Sequence, residues 1–155
     1  MKESAICHSD ALLIAWRLAE LEATNLRCAQ LDPEHFFLAL LKLVELDMTA
    51  ILVENTTLSD QRIKEEVSAV IKLGSCFEKA KLRTTQTRRQ LRRSLPRGSS
   101  PEKADTHLRR SELSREIFCI AEQEATMGTS NIVEPIHLLA GIVTVSGPWL
   151  LSILD

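Results

Sequence analysis

The sequence predicts an all-α fold: a pseudo-twofold tandem repeat of two four-helix units, the second stopping after its third helix. Three observations predict it. First, the stretch Asp32-Pro33-Glu34-His35-Phe36-Phe37-Leu38-Ala39-Leu40-Leu41 returns 102 residues later as Glu134-Pro135-Ile136-His137-Leu138-Leu139-Ala140-Gly141-Ile142-Val143. Second, each copy opens on an acidic residue and a proline and then runs almost wholly apolar. An acid can accept hydrogen bonds from first-turn amides, and proline enters a helix with φ already set and no amide to leave unpaired. A helix apolar on nearly every side must be buried on nearly every side, so both runs are expected to be central helices. Third, the same offset holds without a gap elsewhere: Ala19, Glu20, Glu22, Ala23 and Thr24 fall on Ala121, Glu122, Glu124, Ala125 and Thr126, and Ser9-Asp10 falls on Ser111-Glu112. Two copies of one helical unit, each a partial core that the other completes, follow from this register.

The units are predicted at 9–74 and 111–155, joined by 75–110, in a single domain spanning 1–155. Ser9 reads as an N-cap, after which Leu12, Ala15, Trp16, Ala19 and Ala23 recur at helical spacing and define an inward face, with Arg17, Glu20 and Glu22 away from it. The first central helix is expected over Pro33 to about Leu46, with Phe37, Leu40, Leu41 and Val44 as its densest stripe. A short helix from Asp47 to Glu54 is broken by Asn55-Thr56-Thr57. Leu58-Ser59 then gives a staple and cap to a fourth helix that buries Ile63, Val67, Val70 and Ile71 and ends at Gly74.

Residues 75–110 differ in charge from everything else. Eleven of the nineteen basic residues lie between Lys79 and Arg110 against only Glu102 and Asp105, so that segment is formally +9 and the remainder −11. Cys76 to Leu95 holds fair helix formers, whereas Pro96-Arg97-Gly98-Ser99-Ser100-Pro101 has the composition of a linker. A basic linker over 75–110, solvated or matched to the acidic remainder and poorly packed over 96–106, is the expectation. The second unit starts at Ser111, turns Ile117, Ile120, Ala121 and Ala125 inward and reaches Gly128 as a C′ residue. Its central helix runs from Pro135 to about Val145, and Ser146-Gly147-Pro148 starts a short helix from Trp149 to Leu154.

These residues resemble the double Clp-N domain found at the amino terminus of Clp-type AAA+ unfoldase chaperones. The likeness rests on the Ser that begins each first helix (Ser9, Ser111), on Glu-Ala near its end (Glu22-Ala23, Glu124-Ala125), and on the Glu-His-Leu-Leu-like helices at Glu34-His35-Phe36-Phe37 and Ile136-His137-Leu138-Leu139. It covers roughly 5–72 and 108–155. The resemblance implies a binding domain that recruits unfolded or tagged client proteins and adaptor proteins to the AAA+ module of the same parent chain. A free-standing accessory protein that regulates a Clp assembly is the alternative. In some members the glutamate at the position of Glu34, with a Ser or Thr at the helix start, binds phosphorylated arginine. Ser9, Glu34 and Ser111 are therefore the candidate ligand-binding residues, with Ile136 in place of the second glutamate.

Other functions find little in the sequence. There is no G-x-x-x-x-G-K-[ST] phosphate loop and no G-x-G-x-x-G after a strand, so no ATPase activity is expected of this chain. His35 and His137 have no second His or Cys at i±3 or i±4, only the helix-start acids Asp32 and Glu134 at i−3, and are expected to be structural, their rings bonding nearby backbone, with no metal or cofactor. Cys7, Cys28, Cys76 and Cys119 stand singly, which suits free and mostly buried thiols. With 45% hydrophobic and 26% charged residues the chain fits a globular domain, long enough to bury about 68–70% of its unfolded surface. No signal-peptide pattern and no apolar run of about 18 residues is evident, so a cytoplasmic, monomeric domain without membrane contact is expected. Clustered Lys and Arg could also meet the phosphates of a nucleic acid, which makes a basic-linker nucleic-acid adaptor a third reading, but the segment lacks interleaved aromatics and nucleic acid is not the expected partner.

Overall fold

The computed structural model describes residues 5–54, 57–99 and 107–154. It is mostly helical: seven helices hold 71% of the described residues. In chain order they are α1 (Asp10–Asn25), α2 (Pro33–Leu43), α3 (Met48–Val53), α4 (Asp60–Lys79), α5 (Thr84–Ser94), α6 (Glu112–Met127) and α7 (Pro135–Leu154). Two short strands, β1 (Cys7–His8) and β2 (Ile132–Val133), pair in parallel, with Cys7 opposite Ile132 and His8 opposite Val133. A single parallel bridge joins Leu31 to Arg110. No sequence signal marks these pairings, because two residues are too few to show a period.

The helix starts follow local chemistry. Ser9 accepts the Leu12 amide at 3.1 Å, Ser59 the Arg62 amide at 3.2 Å and Ser111 the Ser114 amide at 3.2 Å, each satisfying a donor that the helix cannot. At α2 and α7 the histidine ring does part of this work: His35 Nδ1 accepts the Asp32 amide and His137 Nδ1 the Glu134 amide, both at 2.9 Å. Three helices end alike. After α1, α4 and α6 the residue beyond the cap is left-handed (Arg27, Lys81, Thr129), and the next amide reaches back to Ala23, Phe77 or Ala125. Gly128 is the cap, with negative φ, and it is Thr129 that takes the left-handed turn assigned from sequence to Gly128.

The core is centred on α2, which buries Phe36 to Leu41 without interruption together with Pro33, His35 and Leu43. It is contacted by α1, α5, α6 and α7. Phe36 lies 5.6 Å from Trp16 of α1 and 5.1 Å from Phe118 of α6, ring to ring, while Phe37 meets Phe77 of α4 at 6.3 Å and Trp149 of α7 at 6.5 Å. These edge-on spacings are the favoured ones for aromatic pairs. The most extensive helix pairings are α1 with α2 and α6 with α7.

Several expectations are corrected. α4 does not end at Gly74 but runs five residues further to Lys79, and Gly74 lies inside it facing Val44. Its buried face is Glu66, Ala69, Val70, Leu73 and Phe77, so Ile71 is turned outward at 63% exposure. The apolar stripe read from sequence was displaced because a buried glutamate, Glu66, occupies the inward row. Glu22 likewise is inside, at 5% exposure. Cys7 and Cys119 are exposed and Cys28 and Cys76 half-buried, all four free, so the thiols are not mostly buried. α7 is buried only along Pro135, Leu138, Gly141, Ile142 and Leu150, with Val143 and Leu151 exposed, and is therefore not covered on every side. It bends at Ser146, where φ is −116°. Contrary to the expectation on apolar runs, Pro135–Ile153 is long and apolar enough, by length and composition, to cross a membrane.

The segment 75–110 is not a plain linker. Its first residues continue α4, and α5 packs on α2 with Leu91 and Thr87 buried. Beyond α5, Gly98 donates its amide to Leu26 O at 2.8 Å, and a Cβ there would lie 2.1 Å from Arg27 O, so only glycine permits this approach. Residues 96–99 are thus tied to the end of α1, while the rest of the expected loose stretch, 100–106, lies outside the described residues.

Candidate functional site

Two cavities bring charged side chains to apolar walls. The larger, about 690 Å³, is an open groove between α1, α3 and the segment that leads into α6. Leu13, Ile14, Ile51 and Leu52 line it, with Leu13 49% and Ile51 37% exposed. Helical spacing creates this: Leu13 sits on the face of α1 opposite Ala11, Ala15 and Ala19, the small residues that seat α1 in the core. Trp16 and Arg110 close one end. The Arg110 guanidinium lies 5.0 Å from both the Trp16 and the Phe118 ring centroids. Burial, with Arg115 nearby, holds its pKa below the ordinary arginine value.

The groove's acids are already matched. Glu20 meets Arg17 at 3.3 Å and the His107 ring at 3.2 Å, and Asp10 meets Arg62 at 3.3 Å. Arg110, by contrast, forms no ion pair among the described residues. The groove therefore offers an apolar wall with a cation held over the Trp16 and Phe118 rings beside it, suited to an aliphatic segment carrying a carboxylate.

The second cavity, about 490 Å³, contains Glu34 and Asp32 beside Cys28, Leu113 and Trp149. Burial raises the Glu34 carboxyl above its ordinary value, Asp32 adds to this, and a backbone hydrogen bond opposes it. Burial also raises the Cys28 thiol. Two carboxylates next to an indole suit a cationic group, whose charge would act against the burial that raises the Glu34 carboxyl.

Of the three residues singled out from sequence, Ser9 and Glu34 are not brought together. Ser9, 2% exposed, lines a separate cavity of about 290 Å³ with Arg62, Glu65, Glu66 and Glu134. Ser111 is 7% exposed, donates to Ser114 Oγ and caps α6, two residues before the Leu113 that lines the Glu34 cavity. The oxygens of both serines are thus engaged in helix caps.

Sequence reasoning missed Glu66, Glu22 and Arg110. Glu66, 2% exposed, accepts the amides of Asp10 at 3.1 Å and Ala11 at 2.8 Å and pairs with Arg62 at 2.9 Å, pinning the start of α1 to α4. Its neighbours in sequence, Lys64 and Glu65, give no hint of this. Among the described residues no group of three or more His, Cys, Asp or Glu could hold a metal ion. No protein-family model matches the chain, and no curated protein is significantly similar to it.

Proposed function

We propose that this chain is a double Clp-N-like domain, two pseudo-twofold units that capture client or adaptor proteins for an AAA+ unfoldase module. The repeat reading is supported by equivalences at one offset of 102 residues. Ser9 and Ser111 cap their helices, Arg27 and Thr129 are left-handed, and His35 and His137 accept matching amides. The His8–Val133 pairing and the Leu31–Arg110 bridge exchange under that offset, as do the Ser9 amide to Val133 O at 3.0 Å and the Ser111 amide to Leu31 O at 2.8 Å. Each unit thus lends its lead-in segment to the other.

The observation that carries the binding role is the groove of about 690 Å³ at this junction, where Leu13 and Ile51 stay exposed beside Arg110. Apolar clefts with a few placed polar groups are the usual form of a binding site. Its work is tethering: transient capture raises the local concentration of a client near a linked ATPase ring. Binding of a labelled, permanently unfolded protein, followed by anisotropy, tests it. Leu13→Asp with Ile51→Asp, both at exposed positions, is expected to weaken binding about tenfold or more, the effect of roughly 1.4 kcal/mol. Unchanged affinity would remove the groove from the reading, and absence of binding by the parent chain would remove client capture itself.

A further inference from the structure

The arginines of α5 divide into two sets. Arg88 and Arg92 face the body of the domain: Arg88 meets Glu45 at 2.8 Å, and Arg92 holds Glu22 with both its Nε, at 2.8 Å, and a terminal nitrogen. Glu45 also accepts Thr85 Oγ1 at 2.6 Å and Thr84 Oγ1 at 3.2 Å. Burial works to raise the Glu45 carboxyl, but these hydroxyls and Arg88 outweigh it and hold it below its usual value. With Leu91 buried beneath them, these contacts fix which side of α5 points outward.

On the outward side stand Arg89 and Arg93, one turn apart, with Gln86 and Gln90 between and beside them. Lys79, Lys81 and Arg83 precede them and Arg97 follows, all exposed. None of these six cations forms an ion pair among the described residues. The chain outside 79–110 is formally −11, yet among the described residues Arg88 and Arg92 are the arginines of α5 matched to its acids. What remains is a positive strip along a helix about 16 Å long, rigidly docked rather than loose.

We propose that this strip is a sequence-independent binding surface for the phosphate backbone of duplex nucleic acid. Isolated surface ion pairs with the carboxylates of an acidic peptide contribute only about 0–1 kcal/mol each. A duplex, in contrast, carries a fixed line of charge whose condensed counterions are released on binding, a gain that grows with every cation along the strip. An interfacial helix would need an apolar face to enter an anionic membrane, and Thr85, Gln86, Arg89, Gln90 and Arg93 supply none. Single strands are held by stacking on aromatic side chains. Here all four phenylalanines are buried, and both tryptophans lie on other helices, Trp16 on α1 and Trp149 on α7. The glutamines can donate to phosphate oxygens, which positions a duplex without reading its bases. The expectation from sequence that nucleic acid is not the partner rested on the segment as a connector without aromatics; a docked helix with its outer cations unmatched changes that premise.

The test is anisotropy of the whole chain with labelled DNA duplexes of roughly 20 base pairs and unrelated sequences, from about 50 to 200 mM salt. Six phosphate contacts, one for each unmatched cation, predict a slope of log K against log salt of about −5.4, and equal affinity for every sequence. Arg89→Glu with Arg93→Glu is expected to weaken binding at least tenfold, and Arg89→Gln with Arg93→Gln to reduce the slope by about 1.8. Because neither side chain has an ion pair among the described residues, circular dichroism and melting of both variants should match the parent. No binding at about 100 μM protein and low salt would overturn the proposal, as would variants that leave affinity and slope unchanged. So would tighter binding to a single strand of the same length, or tighter binding to vesicles containing phosphatidylserine, since each would give the strip a different occupant.

Discussion

Gly141 and Gly74 both lie inside helices, yet replacing each by alanine should move stability in opposite directions. At Gly141 of α7 an added Cβ would lie 2.3 Å from Ile117 O, 3.0 Å from its carbonyl carbon and 3.2 Å from its Cα, all backbone of α6. Relief requires the helices to separate by roughly 1 Å where Ile117, Phe118, Ala121, Leu138 and Ile142 are essentially inaccessible. Overpacking of that kind costs about 1–3 kcal/mol, against a gain of about 0.8–1.0 kcal/mol from alanine's better helix propensity. Gly141→Ala is thus expected to lose up to about 2 kcal/mol, or roughly 4–8 °C in Tm for a domain of this size. At Gly74 of α4 the nearest atom to an added Cβ is Val44 Cγ1 at 3.9 Å, an ordinary contact. There the propensity gain stands alone, and Gly74→Ala should stabilise by about 0.5–1 kcal/mol. Paired urea melts with equal m-values decide it. A Gly141→Ala variant stabilised by the full propensity gain of about 0.8–1.0 kcal/mol would refute the close crossing of α6 and α7, and a destabilised Gly74→Ala would refute the ordinary spacing of α4 from Val44.

Three further outcomes are expected. Leu40→Ala, at a fully buried position of α2, should lose about 2–5 kcal/mol in denaturant melts, and a loss under about 1 kcal/mol would remove α2 from the centre of the core. Arg92→Ala leaves the Glu22 carboxylate buried without its bidentate partner; with the Arg92 side chain 40% exposed, solvent softens the effect to about 1–2 kcal/mol, and a urea midpoint equal to the parent's would mean α5 is not held by this pair. Burial lowers the pKa of His35 and of His137 below 6.5, so the unfolded chain takes up protons first and stability falls as pH drops from 6.5 toward the lowered folded values. The limit is about 1.4 kcal/mol per pH unit per ring. Glu34, with its raised carboxyl, acts with the opposite sign, its stabilisation lost as pH rises through the folded pKa. Comparing melts of the parent with His35→Asn/His137→Asn between pH about 7 and 5.5 isolates the rings, and identical acid slopes in the two proteins would rule out their neutral, hydrogen-bonded state.

What was legible in the sequence is what the backbone settles over three or four residues. Ser9, Ser59 and Ser111 announce their helices because a hydroxyl reaches an amide three residues on, and Pro33 and Pro135 mark two more. Ser146-Gly147-Pro148 reads as a break between two helices; there α7 kinks at Ser146 but continues to Leu154. The central place of α2 was legible, since its unbroken apolar run leaves no face for water. The histidine rings belong here too, their amide partners lying three residues back.

Only the tertiary structure decided where the charged residues stand. Glu22 is inside because Arg92, 70 residues away, holds it, and Glu66 because the amides of Asp10 and Ala11 point at it from 56 and 55 residues away. No local pattern encodes such partners, and with Glu66 inward the face of α4 turns until Ile71 meets solvent. The candidate grooves have the same origin. Leu13 and Ile51 become neighbours, and Arg110 comes to face Trp16, only once α1, α3 and the lead-in to α6 are packed together. The two arginine sets of α5 are separated likewise: composition counts the cations, but the helix phase and the positions of Glu45 and Glu22 choose which of them stay unpaired.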